Sequence, residues 1–204
     1  MRIAMFGGTF DPFHAGHAAI TRFVLSEWLA DRVLLIPAPV PPHKDASRIS
    51  PYEIRRKLIE LASAGMENVE ISDVERDRTG KSYSIDTLNE LAAAHPGDEI
   101  ILLIGGDSLA TLHLWHLAHE LVRNYTILTY PRPGSIVTEA SLVTSGWSKA
   151  EAEKLLAGIM HDAPVFPLSA TQIRQMLAEG RTLPPGTIAD AEMDWIRKQN
   201  LYHK

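Results

Sequence analysis

The sequence predicts an α/β fold: a doubly wound, mostly parallel sheet with a small C-terminal helical extension. Short apolar runs alternate with segments of helical period along most of the chain. One run, Ile100–Ile104, is apolar at every position, as a strand covered on both faces must be. Parallel neighbours need crossovers, and the helical segments between the runs supply them.

In chain order, Ile3–Phe6 reads as the first strand, Ala18–Leu29 as a helix and Val33–Ile36 as the second strand. Pro51–Ala64 is a helix, Val69–Ile71 a strand and Ile85–Ala94 a helix; Ile100–Ile104 follows, then a helical stretch after Asp107 and the strand Tyr125–Tyr130. Helix starts are marked chemically. Ser50-Pro51-Tyr52-Glu53 has the pattern of a capping box with proline at the first helical position, and Ser169 precedes another periodic run. Two stretches break the rhythm. Pro37–Ser50, with proline at 37, 39, 41 and 42, reads as a rigid loop on the active-site side. Pro131–Pro164, which carries the amphipathic Lys149–Met160, reads as containing an insertion at about 135–162. After Pro184-Pro185-Gly186 a helix is expected from about Ile188 to Gln199, with Trp195 and Ile196 packing back onto the sheet. A single domain over 1–204 accommodates all of these elements.

With 204 residues, 45% hydrophobic and 22% charged, the chain has the make-up of a soluble globular protein, which excludes disordered, collagen-like and low-complexity classes. A formal charge of −5 offers no field for a polyanion, so no nucleic-acid partner is expected. The apolar runs fall far short of the roughly 20 residues of a membrane span, and the stretch between Arg2 and Gly7 is too short for a signal peptide. The absence of Cys excludes a disulfide framework, a thiolate nucleophile, an Fe–S cluster and Cys-based zinc; it is compatible with the cytoplasm.

The first strand runs into Gly7-Gly8-Thr9-Phe10-Asp11-Pro12-Phe13-His14-Ala15-Gly16-His17, with a helix beginning near Gly16. The carboxyl end of such a strand is where α/β sheets bind ligands, beside a helix N-terminus that attracts anions. Glycines there let a phosphate approach the backbone. His14 and His17, three apart, can present both imidazoles to one phosphate as hydrogen-bond donors, which suggests phosphoryl or nucleotidyl transfer. His113, His116 and His119 recur every three residues on an expected helix, a poor geometry for one metal, and read as polar-face or pocket-rim groups. Glu75-Arg76-Asp77-Arg78 reads as a solvated loop.

The string GGTFDPFHAGH resembles the signature of the nucleotidyltransferases that share the HxGH motif. Further matches place the chain near the bacterial nicotinate-nucleotide adenylyltransferases: Pro41-Pro42-His43-Lys44, Ser82-Tyr83-Ser84-Ile85-Asp86-Thr87-Leu88, Gly105-Gly106-Asp107-Ser108-Leu109, Trp115, Arg132-Pro133-Gly134 and Ser169-Ala170-Thr171-Gln172-Ile173-Arg174. The resemblance implies a Rossmann-like nucleotidyltransferase fold, with ATP and nicotinate mononucleotide as partners and a homo-oligomer as a compatible assembly. It implies His14, His17 and Arg174 as catalytic groups. ATP would be held by these with Gly7, Gly8, Thr9, Phe10, Gly105, Asp107, Ser169 and Thr171. The mononucleotide would be held by Lys44, Tyr83, Ser84, Trp115 and Arg132, with the indole of Trp115 stacked on the pyridine ring.

In the implied reaction the mononucleotide phosphate attacks the α-phosphorus of ATP, giving nicotinate adenine dinucleotide and pyrophosphate in NAD biosynthesis. The nucleophile is already anionic, so alignment and charge stabilisation are what a protein must supply. Mg²⁺ would arrive carried with ATP rather than in a protein cage. Three alternatives stay open on the residues: an enzyme using phosphopantetheine, one preferring nicotinamide mononucleotide, and a non-catalytic ATP-sensing module. Acceptor preference and turnover separate them.

Overall fold

A computed structural model describes residues 1–39 and 49–202. Five parallel strands form one sheet: β1 (Arg2–Gly8), β2 (Arg32–Pro37), β3 (Val69–Ile71), β4 (Glu99–Gly105) and β5 (Thr126–Tyr130), in the order β3-β2-β1-β4-β5. The first three strands run outward from β1 in one direction, and β4 and β5 continue on its other side. The sheet is therefore doubly wound, with a switch point between β1 and β4.

Alternation along the central strands sends side chains to two cores. Ile3 and Met5 of β1 join Ile100, Leu102 and Ile104 of β4 on one face, under Ile85, Leu88 and Leu91 of α3 (Ser84–Ala94). Ala4, Phe6 and Leu103 face the other side, with Ile20 and Val24 of α1 (Ala15–Ser26) and Ile59 of α2 (Tyr52–Ser63). β4 is buried at every position after Glu99, as its unbroken apolar run requires.

Several boundaries differ from expectation. β1 continues through both glycines, which pair with Ile36 and Pro37. The left-handed turn falls instead on Phe10, at φ 49°. α1 starts earlier, because His14 rather than a later residue caps it, and ends at Ser26, beyond which Trp28 turns left-handed at φ 54°. The capping box at Ser50 is not formed: Pro51 stands at the N-cap without a side-chain bond, and the Ser50 N–H donates to Asp11 Oδ2 at 3.1 Å. The Pro37–Ser50 loop falls largely outside the described residues.

Beyond β4 come two short helical turns, α4 (Gly106–Thr111) and Leu112–Leu114, then α5 (Ala118–Asn124), β5, α6 (Glu139–Thr144) and α7 (Lys149–Ala157). The last two helices lie in the stretch expected as an insertion; they pack on each other, and α7 packs against α5. Trp147 between them is buried in the same core as Leu121 and Ile127. Lys154 Nζ reaches the Val122 carbonyl at 2.6 Å, near the C-terminus of α5, where a cation is favoured. α7 stops short of Met160 because the chain turns at Gly158 and bonds to β5, with Thr129 N–H donating to Gly158 O and Met160 N–H to Thr129 O. A Cβ on Gly158 would collide with the Ile127 carbonyl, so this approach requires glycine.

α8 (Ala170–Ala178) and α9 (Asp190–Lys198) complete the chain. Ile196 packs with Leu58, Ile173 and Ile188 rather than on the sheet, because α2 already covers that face. Trp195 lies at the edge of the same cluster. Glu192, one turn before Ile196, is fully buried, with the Ala189 backbone N–H near its carboxyl group but, among the described residues, no well-formed hydrogen bond to either oxygen. Burial pushes its pKa up to about 9 from an ordinary 4.5.

That shift sets a pH dependence. The folded protein keeps the Glu192 proton to about pH 9 while the unfolded chain loses it near 4.5, so the native state binds more protons in between and stability falls as pH rises. At about pH 7 the loss is on the order of 3 kcal/mol. Glu192→Gln, neutral at every pH, is expected to raise the melting temperature at pH 8 and to flatten its decline between pH 5 and 9. Parallel decline in wild type and variant, measured by thermal denaturation, would contradict this account.

Candidate active site

Because the loops leaving β1 and β4 diverge at the switch point, a cavity of about 610 Å³ opens there. Gly7, Gly8 and Thr9 form one wall, Ile104 and Ser108 another, and Tyr83, Ser84, Trp115 and His116 a third. A separate narrow crevice is lined by His14, His17, Tyr130, Arg132 and Phe166.

The two histidines cap α1 reciprocally. His14 Nδ1 accepts the Gly16 N–H at 3.1 Å, and His17 Nδ1 accepts the His14 N–H at 3.1 Å. Both δ nitrogens are thus occupied as acceptors, which assigns the proton of each neutral ring to Nε2 and makes that atom a donor. Their ring centroids lie 3.8 Å apart. His14 is buried, and desolvation, aided by the nearby Arg132 charge, lowers its pKa to about 3. His14 is therefore an uncharged donor at neutral pH. Gly16 permits the arrangement: a Cβ there would come within 2.9 Å of His14 Cε1 and 2.8 Å of Phe166 Cβ. Phe10, expected among the ATP contacts, is buried, and its ring meets that of His17 edge-on at 5.0 Å.

The Ser169–Arg174 segment meets the β1–α1 loop at Asp11. Arg174, on α8, donates to the Asp11 carbonyl at 2.6 Å, with Nη1 4.0 Å from the Asp11 carboxylate. That carboxylate also accepts from Tyr202 at 2.6 Å. Ser169 caps α8, accepting from the Gln172 N–H while Gln172 Oε1 accepts in return, and Thr171 Oγ1 lies 3.4 Å from Arg174 Nη2. On the β4 side, Gly105 is the N-cap of α4, so Asp107 stands in the first turn rather than at the cap. Its Oδ1 lies 3.6 Å from Arg132 Nε. Arg132, expected with the mononucleotide set, thus stands beside His14 and Asp107 and not among the residues around Trp115. Lys44 lies outside the described residues.

The three histidines do not share one helix. His113 lies in the Leu112–Leu114 turn, His116 packs on Tyr83 at 4.3 Å between centroids, and His119, on α5, faces Glu151 at 2.9 Å. Leu117, left-handed at φ 52°, breaks the helix between them.

Residues 5–176 match the cytidylyltransferase-like family model. A curated protein of Solibacter usitatus named "Probable nicotinate-nucleotide adenylyltransferase" is 36% identical, with all of both chains aligned. One of the same name from Geobacter metallireducens is 34% identical over 99% of this chain and 98% of its own. The chain belongs to the nicotinate-nucleotide adenylyltransferase family. The fold agrees: the nicotinic acid mononucleotide adenylyltransferase of Plasmodium falciparum, solved with NaAD, superposes with a TM-score of 0.77 at 17% identity, covering 98% of this chain and 97% of that one. Like its family, the protein is a nucleotidyltransferase, and it transfers an adenylyl group to nicotinate mononucleotide.

Two groups supporting this adenylyltransferase site were not expected from sequence. Arg55, buried on α2, donates to the carbonyls of Thr9, Ala38, Pro39 and Ser50 at 2.7–3.2 Å and so ties the β1–α1 loop to both ends of the β2–α2 connection. Its place in the stripe of Leu58 and Ile59 was the available signal. The Glu75–Arg78 stretch is solvated only at Arg76 and Asp77. Glu75 is buried against Thr87, and Arg78 donates to Ser82, Thr87 and Glu90, each bond 2.7–2.8 Å.

The low pKa of His14 gives a direct check. Nitrogen NMR of the free protein should find His14 neutral with the proton on Nε2 from pH 8 down to about pH 4, with protonation only near 3. Since the unfolded chain takes up that proton near 6.5, the group's contribution to stability is complete above that pH and is lost as pH falls toward 3. A charged His14 at pH 6 would refute the assignment.

Proposed function

We propose that the two openings divide the substrates of this adenylyltransferase. The cavity beside Trp115 takes the nicotinate mononucleotide, and the His14–His17 crevice with the start of α8 takes the triphosphate of ATP. The observation that carries this reading is the meeting of the His14–His17 loop and the Ser169–Arg174 segment at Asp11, with the 610 Å³ cavity lined by Gly7, Gly8 and Thr9 at the start of the same loop.

The nicotinate ring would lie against Trp115 and Tyr83, its carboxylate facing the N-terminus of α3 at Ser84, where backbone N–H groups have no partner within the helix. The ATP phosphates would meet the Nε2–H groups of His14 and His17, the Arg174 guanidinium and the start of α8 with Ser169 and Thr171. Gly7, Gly8 and Thr9 would line the path between them. Gly105 and Asp107 would border the adenosine, and Lys44 would contact a phosphate. Arg132 fits better beside the triphosphate, given its place next to His14.

The acceptor phosphate carries its own negative charge, so no general base is required. In-line attack on the α-phosphorus expels pyrophosphate, and charge builds on the non-bridging oxygens of the α-phosphate and on the leaving group. N–H donors in fixed positions stabilise that charge without reorganising. Mg²⁺ fits as a companion of ATP: the crevice presents N–H donors and cations, and Asp107 is already opposite Arg132. Among the described residues no helix is long and apolar enough to cross a membrane; a cytoplasmic location suits the absence of Cys.

Pyrophosphate release with Mg-ATP and nicotinate mononucleotide, nicotinamide mononucleotide or phosphopantetheine in parallel should favour the nicotinate acceptor strongly. His17→Ala should lower kcat by about 100-fold or more with smaller changes in KM. Wild-type turnover in the folded variant would remove His17 from the mechanism.

A further inference from the structure

We infer that Glu75 and Arg78 are positioning residues that set the preference for an acid over an amide on the pyridine ring, by balancing charge at the α3 end of the cavity. The inference rests on the placement of the mononucleotide ring proposed above.

Glu75 lines the cavity together with Tyr83 and Ser84, yet its carboxylate is almost wholly buried. An ionised carboxylate here repels a nicotinate carboxylate and welcomes the N–H groups of an amide, which is the wrong preference for this family. Two features offset it. Glu75 Oε1 accepts the Thr87 hydroxyl at 2.7 Å, which turns it toward the α3 side, and Thr87 Oγ1 in turn accepts from Arg78 at 2.7 Å. Arg78 Nη1 also stands 4.0 Å from Glu75 Oε1. The guanidinium is only 18% exposed, so its charge is weakly screened.

The same guanidinium holds the helix end itself. Nη1 donates to Ser82 Oγ at 2.8 Å and Nη2 to Glu90 at 2.7 Å, bracketing the turn that presents Tyr83 and Ser84. Lys81, also on the cavity wall, adds a second positive charge. Glu75, Glu90 and the exposed Asp86 in the first turn of α3 stand against Arg78 and Lys81, a net balance within one charge of neutral, so the dipole and free N–H groups of α3 decide what binds. Loss of either member of the Glu75–Arg78 pair should shift selectivity, and in opposite directions.

The test measures KM and kcat for nicotinate mononucleotide, KM for ATP, and inhibition by nicotinamide mononucleotide, in Glu75→Gln, Arg78→Gln, the double variant and Trp115→Ala. Arg78→Gln should raise KM for the acid about tenfold, with kcat and KM for ATP within about twofold and amide binding little changed. Glu75→Gln, which keeps an acceptor for Thr87, should move the acid-to-amide ratio the other way by about threefold, and the double variant should return it toward wild type. Equal changes for acid and amide, or no change, would overturn the inference and leave a purely structural role. If Trp115→Ala also leaves both ligands unaffected, the placement of the ring itself is wrong.

Discussion

The guanidinium of Arg55, buried beneath the β1–α1 loop, is the contact on which the site's geometry depends. Its donors engage carbonyls from Thr9, Ala38, Pro39 and Ser50, so one side chain fixes the backbone on both sides of the β1–β2 edge. Carbonyl acceptors alone do not neutralise a charge taken out of water, and the buried carboxylate of Asp11 nearby supplies the countercharge. Asp11 then passes the constraint on: its carbonyl takes Arg174, its carboxylate takes Tyr202 and the Ser50 N–H. Segments separated by more than 160 residues are thereby fixed to one short loop.

The histidine pair depends on that loop. His14 can cap α1 only if the chain arrives in extended conformation, at φ −142°, and the loop held by Arg55 and Asp11 delivers it so. Capping consumes both δ nitrogens and leaves both ε nitrogens as donors. Burial beside Arg132 keeps His14 uncharged. A device that ordinarily stabilises a helix end here also fixes a tautomer, and the aromatic bed of Phe6, Phe10 and Phe13 around His17 limits how its ring can rotate.

Much of this was legible in the sequence. The parallel sheet followed from the spacing of apolar runs, and the histidine-bearing loop at the switch point from an eleven-residue string at the end of a strand. What escaped was burial of charge. Arg55 reads as one charge among several on a polar helix, although it stands three and four residues before Leu58 and Ile59 in the buried stripe. Glu192 stands likewise between Ile188 and Ile196, at helical spacing on the buried side. Glu75 and Arg78 gave less warning, because their partner is a threonine on another helix, a tertiary contact that no local pattern reports. The extension of β1 through Gly7 and Gly8 was hidden for a different reason: glycine has low strand propensity, and here pairing with β2 overrides it.

The chain is acidic, at −5, yet in the proposed reaction both substrates are polyanions. Attraction at long range is therefore not what concentrates them, and the favourable field must be local. In the proposed reading the fold supplies it by starting α1, α3 and α8 around the same loop and cavity, each presenting the positive end of its dipole. Fixed dipoles of this kind differ from a cluster of lysines. They require no countercharge when empty, they do not repel one another into disorder, and they stay oriented as charge moves from the α-phosphate to the departing pyrophosphate. In the proposed reading Arg174, tethered to Asp11, adds one cationic side chain beside the start of α8. A site built on helix ends must hold those ends rigidly, which is why the charged groups that the reaction does not use directly are tied down: Arg55 and Asp11 are buried, Arg78 is largely covered, and all three are bonded to the backbone or side chains of the loops they support.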